Sequence, residues 1–203
     1  AFAQAKKENR PLFLYWGAVW CPPCNQVKAT VFSRADFIER AKLFVPVYID
    51  GDAPAAQKLG ARFKASGYPT MILFRPDGSE ITRLPGEVDA ARYMQVLQQG
   101  MSGGRPVKAL LDAARAGKPL SATDWNLLAF YSWETDEQAL LPRAERVTTL
   151  WQLAQRSTAT APEASARLAM KAAAMASGGG DASFDKAAAL QRLRAALADP
   201  KVS

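Results

Sequence analysis

The sequence predicts an α/β fold, a mixed sheet flanked by helices, followed by an all-α C-terminal region. Three observations predict it. Up to about residue 100, short apolar runs and helical stretches follow the order αβαβαββα. Past Ser102-Gly103-Gly104-Arg105-Pro106, alanine dominates and strand signals disappear. The chain's only two cysteines stand two residues apart, just after the first apolar run.

The elements follow in order. Residues 3–9 read as a short helix. Leu12-Phe13-Leu14-Tyr15-Trp16 is an unbroken apolar run of strand length, the pattern of a buried strand. Cys21 to about Ala29 reads as a helix, and Pro22 and Pro23 suit its first turn, where a missing N–H costs little. Ser33-Arg34-Ala35-Asp36 has the spacing of a capping box, with Asp in place of the usual Glu, opening a helix to Lys42. Phe44-Val45-Pro46-Val47-Tyr48-Ile49 reads as the next strand, with Pro46 marking a start or an irregularity. Residues 54–65 look helical. Met71–Phe74 and Glu80–Leu84 read as a hairpin around Pro76-Asp77-Gly78-Ser79. Asp89 reads as an N-cap, Val88 and Tyr93 as a hydrophobic staple, and the helix runs to about Gln99.

The breaker at 102–106 divides the chain into an α/β domain over 1–101 and an all-helical domain over 107–203. Val107, Leu110, Leu111 and Ala114 form a helical stripe. Ser121-Ala122-Thr123-Asp124 caps a helix expected to run through Trp125, Leu128, Phe130, Tyr131 and Trp133, the centre of this half's core. Further stripes are Val147, Leu150, Trp151 and Ala154; then Leu168, Ala172 and Met175; then Leu190, Leu193 and Leu197. Gly117-Lys118-Pro119, Thr160-Ala161-Pro162 and Ser177-Gly178-Gly179-Gly180 read as the loops between them. The last helix is expected to end near Asp199-Pro200. The rhythm suggests a repeat-like helical array, complete or incomplete, though no consensus of roughly 34 residues recurs.

Composition narrows the function. At 203 residues and 49% hydrophobic, the chain can bury substantial cores. No apolar run approaches the roughly 18 to 20 residues of a membrane span. The chain starts at Ala1 and shows no signal peptide, which reads as a mature or excised piece. The net charge is +7 and the pI near 9.6, but the excess is spread. Residues 1–102 carry 13 Lys and Arg against 9 Asp and Glu, and residues 103–203 carry 13 against 10. There is no basic run, so a mildly cationic surface is expected and a nucleic-acid partner is not.

Trp20-Cys21-Pro22-Pro23-Cys24 carries the chemistry. Disulfide exchange needs a thiolate that attacks and a second thiol that resolves the mixed disulfide. At a helix N-terminus, free N–H groups and the helix dipole favour the Cys21 thiolate. Cys24, one turn further in, is then the resolving thiol. Pro22 and Pro23 stiffen the loop between the sulfurs. Two other readings compete. Zinc usually takes four ligands, and with no histidine and no third cysteine only a site shared between chains remains. A structural disulfide closing so short a loop adds little stability.

Gly67-Tyr68-Pro69-Thr70 leads into the Met71–Phe74 strand. Trp-Cys-x-x-Cys after a first strand, with Pro-Thr before a later one, resembles the thioredoxin superfamily over roughly residues 1–101. The resemblance implies an α/β thioredoxin-like fold. It implies that the Tyr68-Pro69 bond is cis, that Pro69 packs beside the cysteines, and that the backbone around Tyr68, Pro69 and Thr70 pairs with an extended substrate segment. Taken alone, Pro69 also suits the ordinary start of a strand. Trp20, beside Cys21, is expected to flank the site, whereas Trp16 is expected to lie on the sheet. Residues 3–11 look like the lead-in helix of periplasmic thioredoxin-like proteins. Thr30-Val31-Phe32-Ser33 and Asp50 are similar to the C-terminal domain of the membrane thiol reductase DsbD.

One departure stands out. The family's buried carboxylate, six residues before the first cysteine, is Tyr15 here, and its companion lysine falls near Pro46. With no histidine either, the obvious general bases are missing. The resemblance implies a thiol–disulfide oxidoreductase, reductase or isomerase, acting on disulfide-containing proteins in the periplasm or another extracytoplasmic space. It would exchange with a thiol–disulfide electron donor or acceptor, membrane-bound or not, and need no bound metal or organic cofactor. Two alternatives remain: a redox-inactive scaffold whose helical half recognises a partner, and a glutathione transferase-like enzyme. The second lacks the glutamate–serine pair expected after Pro69, since Met71 to Gly78 offers none.

Overall fold

Leu12–Gly17 forms strand β1, and all six of its residues are buried. It is an interior strand of a four-stranded sheet in the order β2-β1-β3-β4. Strand β2 (Val45–Asp50) runs parallel to it, and β3 (Thr70–Phe74) runs antiparallel. Strand β4 (Glu80–Leu84) pairs antiparallel with β3. The sheet is therefore mixed. Pro46 lies exposed on β2, an edge strand, where the missing N–H removes no inner ladder bond. The β3–β4 hairpin closes at Gly78, whose φ of 89° is the left-handed geometry that favours glycine. The computed structural model describes residues 1–84, 86, 89–136, 140–179 and 184–198.

Alternation along β1 divides the core in two. Leu12, Leu14 and Trp16 pack with Ala5 of helix α1 (Phe2–Glu8), with Ala56 of α4 (Ala56–Phe63), and with Ile72 and Phe74. Phe13 and Tyr15 face the other way. Phe13 meets Phe32, Phe37 and Phe44 at ring separations of 5.1–6.1 Å. Phe32 ends a π-helical stretch, Lys28–Phe32, that continues α2 (Pro22–Val27), and Phe37 belongs to α3 (Ala35–Ala41). Tyr93 of α5 (Ala90–Met101) is buried on the same side and donates its hydroxyl to Met71 Sδ at 3.1 Å. Asp89 caps α5 by accepting the Arg92 N–H; the staple partner Val88 lies outside the described residues.

The expected capping box at Ser33 does not form. Helix α2 runs on through its π turn, so Ser33 becomes the C-cap of that turn and donates its hydroxyl to the Ala29 carbonyl. Arg34 takes the N-cap position of α3, and Asp36 binds its guanidinium.

The residues cluster into two units: 1–109 with 131–139, and 110–130 with 140–203. This differs from a simple division at 102–106, because residues 131–139 join the first unit. The second is all helical among its described residues. It holds most of α6 (Val107–Arg115), then α7 (Ala122–Ala129), α8 (Arg146–Ser157), α9 (Pro162–Gly179) and α10 (Lys186–Leu197). The capping box Ser121–Asp124 forms as read. Helix α8 packs on α9, and α9 on α10. The loop expected at 177–180 starts later, since α9 continues to Gly179. The expected end near 199–200 lies outside the described residues. No helix among the described residues is long and apolar enough to cross a membrane.

Helix α7 also stops earlier than expected. It ends at Ala129, and Tyr131 and Trp133 belong to the first unit rather than to the helical core. The reason is a set of backbone partners on the sheet's edge. The Ser132 N–H donates to the Arg83 carbonyl of β4 at 3.0 Å, and Asp136 forms an antiparallel bridge with Ala65. Arg83 is 2% exposed. Its guanidinium donates to the Phe63 and Lys64 carbonyls at the end of α4 and to both Glu80 oxygens, and it lies 3.7 Å from Asp136. One buried cation thus ties the end of α4, β4 and the 131–136 segment together. Replacing it takes the donor from the Phe63 and Lys64 carbonyls and the cation from beside Asp136 and Glu80. Arg83→Met is expected to lower stability by about 3–5 kcal/mol, read as a drop in the urea midpoint.

Candidate active site

The site grows from the end of β1. Past Gly17 the chain turns and opens α2 with Cys21 as its N-cap. Cys21 has extended backbone geometry (φ −75°, ψ 113°), and its sulfur accepts the Cys24 N–H at 3.2 Å. One orphan helix donor is thereby aimed at Sγ of Cys21. Pro22 and Pro23 occupy the first helical turn. Cys21 and Cys24 are joined by a disulfide, with Cα atoms 5.2 Å apart. Cys24 is 0% exposed and Cys21 3%, so what little surface the couple has belongs to Cys21. Around it the rim is open and apolar: Trp20 is 67% exposed, and Val19 and Pro22 are exposed too.

The Tyr68-Pro69 peptide is cis. Tyr68 is half-buried, with its ring between two tryptophans: stacked on Trp16 at 6.3 Å and edge-on to Trp20 at 5.9 Å. The Trp20–Tyr68 contact brings the two sequence motifs together. Pro69 and Thr70 are buried. Thr70 donates its hydroxyl to the Gly67 carbonyl at 2.6 Å, so the side chain braces the Gly67–Thr70 turn. Any contact with substrate from Thr70 is left to its backbone.

Asp52 was not singled out by the sequence. Its two oxygens accept from Trp20 Nε1 at 2.5 Å and from the Tyr68 hydroxyl at 3.3 Å. The carboxylate fastens the cysteine loop to the proline loop from outside. Burial, then the nearby Asp52 charge, raises the Tyr68 phenol pKa. Gly51 makes room for the arrangement, since a Cβ there would lie 2.2 Å from the Tyr68 ring. Asp50-Gly51-Asp52 at a strand's end is a turn signal; its role needs Trp20 and Tyr68 beside it.

Tyr15 lies beneath the active-site helix. Its ring packs edge-on to Phe32 and stacks on Tyr48, with Lys28 Nζ 5.8 Å from its centroid. Its buried hydroxyl makes no hydrogen bond. Burial, with Tyr48 adding to it, pushes its pKa up to about 12. It keeps its proton at neutral pH and is not a base for Cys24. Among the described residues, no group of three or more His, Cys, Asp or Glu is placed to hold a metal ion.

Comparison with known proteins finds matches over about half of the chain. A family model described as a thioredoxin-like domain matches residues 1–101. The thiol:disulfide interchange protein DsbD of Pseudomonas fluorescens is 32% identical over 99 residues, covering 47% of this chain and 17% of that protein. The TPR repeat-containing thioredoxin TDX of Arabidopsis thaliana is 29% identical over 98 residues, covering 48% of this chain and 24% of that one. The solved C-terminal domain of Neisseria meningitidis DsbD, oxidised form, is 24% identical, with a TM-score of 0.43. That match covers 49% of this chain and 89% of the domain. The chain spans only a minor part of each curated relative's length.

Two measurements check the site. Asp52→Ala removes the acceptor of Trp20 Nε1; Trp20 emission is expected to change while stability falls by no more than about 1.5 kcal/mol. The buried phenols give an alkaline signature. Tyr15 holds its proton to about 12 in the folded chain, and burial raises Tyr93 and Tyr131 as well. An unfolded tyrosine releases its proton near about 10. The folded state therefore binds more protons between these values, and stability, full below about pH 10, falls as pH rises towards about 12. Urea midpoints across that range should show the fall, and Tyr15→Phe should make it shallower while the Tyr93 and Tyr131 contributions remain.

Proposed function

Residues 1–101 of this chain belong to the thioredoxin superfamily, and on that premise we propose that the protein is a thiol–disulfide oxidoreductase for polypeptide substrates. The observation that carries the proposal is the Cys21–Cys24 disulfide at the opening of α2, with the outer sulfur accepting the inner residue's N–H. A structural crosslink would need no such donor and no apolar rim.

In the reducing direction, the Cys21 thiolate attacks one sulfur of a substrate disulfide. A bond forms between Cys21 and that sulfur, and the other substrate sulfur leaves as a thiolate. The same N–H that faces Sγ of Cys21 favours the attacking thiolate. Cys24 then attacks Cys21 in the mixed disulfide, the substrate's second sulfur leaves, and the Cys21–Cys24 bond closes. Two electrons pass to the substrate. Its two departing thiolates take up two protons, one for each proton the cysteines give up. Tyr15 is not the acceptor, so the Cys24 proton goes to the departing substrate thiolate or to water. Disulfide exchange passes its two electrons from a dithiol to a disulfide directly and needs no bound metal or organic cofactor.

The working direction we propose is reduction or isomerisation, in the periplasm or another extracytoplasmic space, with a thiol–disulfide protein returning the electrons. The likeness to a protein named for thiol:disulfide interchange supports the exchange with a thiol–disulfide partner. Trp20, Pro22 and Pro23 form the near rim of the substrate face, and Tyr68, Pro69 and the Thr70 backbone form the far side.

Cys24→Ser tests the mechanism. It removes the resolving thiol and should accumulate mixed disulfides through Cys21, visible as reductant-sensitive adducts. Cys21→Ser should give none. Turnover of a disulfide-bonded polypeptide should fall by at least about a thousandfold in either variant. A Cys24→Ser protein that forms no adduct with any oxidised polypeptide would falsify the reading.

A further inference from the structure

The 131–136 segment reaches the proline loop. Asp136 bridges Ala65, and Ser132 is held on β4 through the Arg83 carbonyl. Between these two anchors stands Thr135. Its hydroxyl donates to Ser132 Oγ at 3.0 Å, which turns the polar end of the side chain back onto its own segment. Its methyl is left against Gly67: Cγ2 lies 3.8 Å from where a Cβ on that glycine would be. Gly67 in turn accepts the Thr70 hydroxyl, and Tyr68 and Pro69 follow it directly. The methyl group therefore stands at the Gly67 end of the turn that holds the cis peptide. Nothing in the exchange chemistry uses it.

We infer that Thr135 is a specificity-determining wall of the disulfide-exchange site. A polypeptide that lies along the Gly67–Thr70 turn must pass this methyl. The wall admits an extended cystine-bearing segment with a small side chain opposite Gly67 and disfavours a bulky one. A rigid methyl, held by a hydrogen bond on one side and two backbone anchors on the other, can discriminate by steric exclusion. A difference of one methylene is worth roughly tenfold or more in such a contact. A small disulfide that reaches Cys21 without lying along the turn should not feel it. The inference rests on the exchange reading above.

The test compares two substrates on the reduced full-length protein, recycled with dithiothreitol. One is insulin, a disulfide-bonded polypeptide. The other is dithiobis-nitrobenzoate, a small disulfide. Thr135→Trp is expected to lower kcat/KM on insulin at least about tenfold while the rate on the small disulfide stays within about twofold. Thr135→Ala, which removes the methyl together with the hydroxyl and adds no bulk, is expected to raise the insulin rate and leave the other unchanged. If both rates fall together in the tryptophan variant, the alanine variant decides, and an unchanged insulin-to-small-disulfide ratio there overturns the wall. Unchanged rates in both variants overturn it as well. A wild-type protein inactive on both substrates overturns the exchange reading itself, a result distinct from either.

Discussion

The burial of β1 on both faces is the constraint from which the site follows. Six consecutive buried residues fix this strand inside the sheet, between β2 and β3. A strand held from both sides has no freedom at its end. The chain leaving Gly17 must turn, and the turn delivers Cys21 to the start of a helix that packs back over Phe13 and Tyr15. The sulfur, the helix donor facing it and the buried partner sulfur are consequences of that placement. The neighbouring strand β3 brings Thr70 and the cis peptide beside it, because Trp16 of β1 pairs with Thr70 in the antiparallel register.

Two charged groups then hold the loops, by different physics. Asp52 is exposed and bonds outward-facing groups, Trp20 Nε1 and the Tyr68 hydroxyl. In water such bonds contribute little to stability, but they set the relative position of the two loops bordering the cysteines. Arg83 is buried and answers helix-end carbonyls and carboxylates at once. There the cost of an unmet partner is high, so the arrangement tolerates little change. The segment that carries Thr135 rests on this second anchor. Access to the site and the integrity of the sheet's edge therefore share one arginine.

Tyr15 stands at the buried position where the family resemblance implies a carboxylate. A phenol below the active-site helix with a pKa of about 12 already holds its proton at neutral pH and cannot take another. In the proposed mechanism, exchange leans on the thiols' own acidity and on the leaving thiolates.

Much of the first unit was legible in the sequence. An unbroken apolar run, a proline pair after a cysteine and a glycine in a hairpin turn act through local sterics and short-range hydrogen bonds. Each marks its own element without help from distant chain. The capping box at Ser121 was legible for the same reason; the similar pattern at Ser33 failed because the preceding helix ran on and used the serine first. What tertiary structure alone decided lies where distant segments meet. Asp52 became a clamp only when Trp20 and Tyr68 arrived beside it. Arg83 became a buried anchor only when the end of α4 and residues 131–136 closed around it. Tyr131 and Trp133 read as helix core from composition, but the free edge of β4 offered their segment backbone partners that a helix could not. Sequence by itself determined the elements and the reacting sulfurs, because those depend on neighbours in the chain. The walls and fastenings of the site depend on neighbours in space.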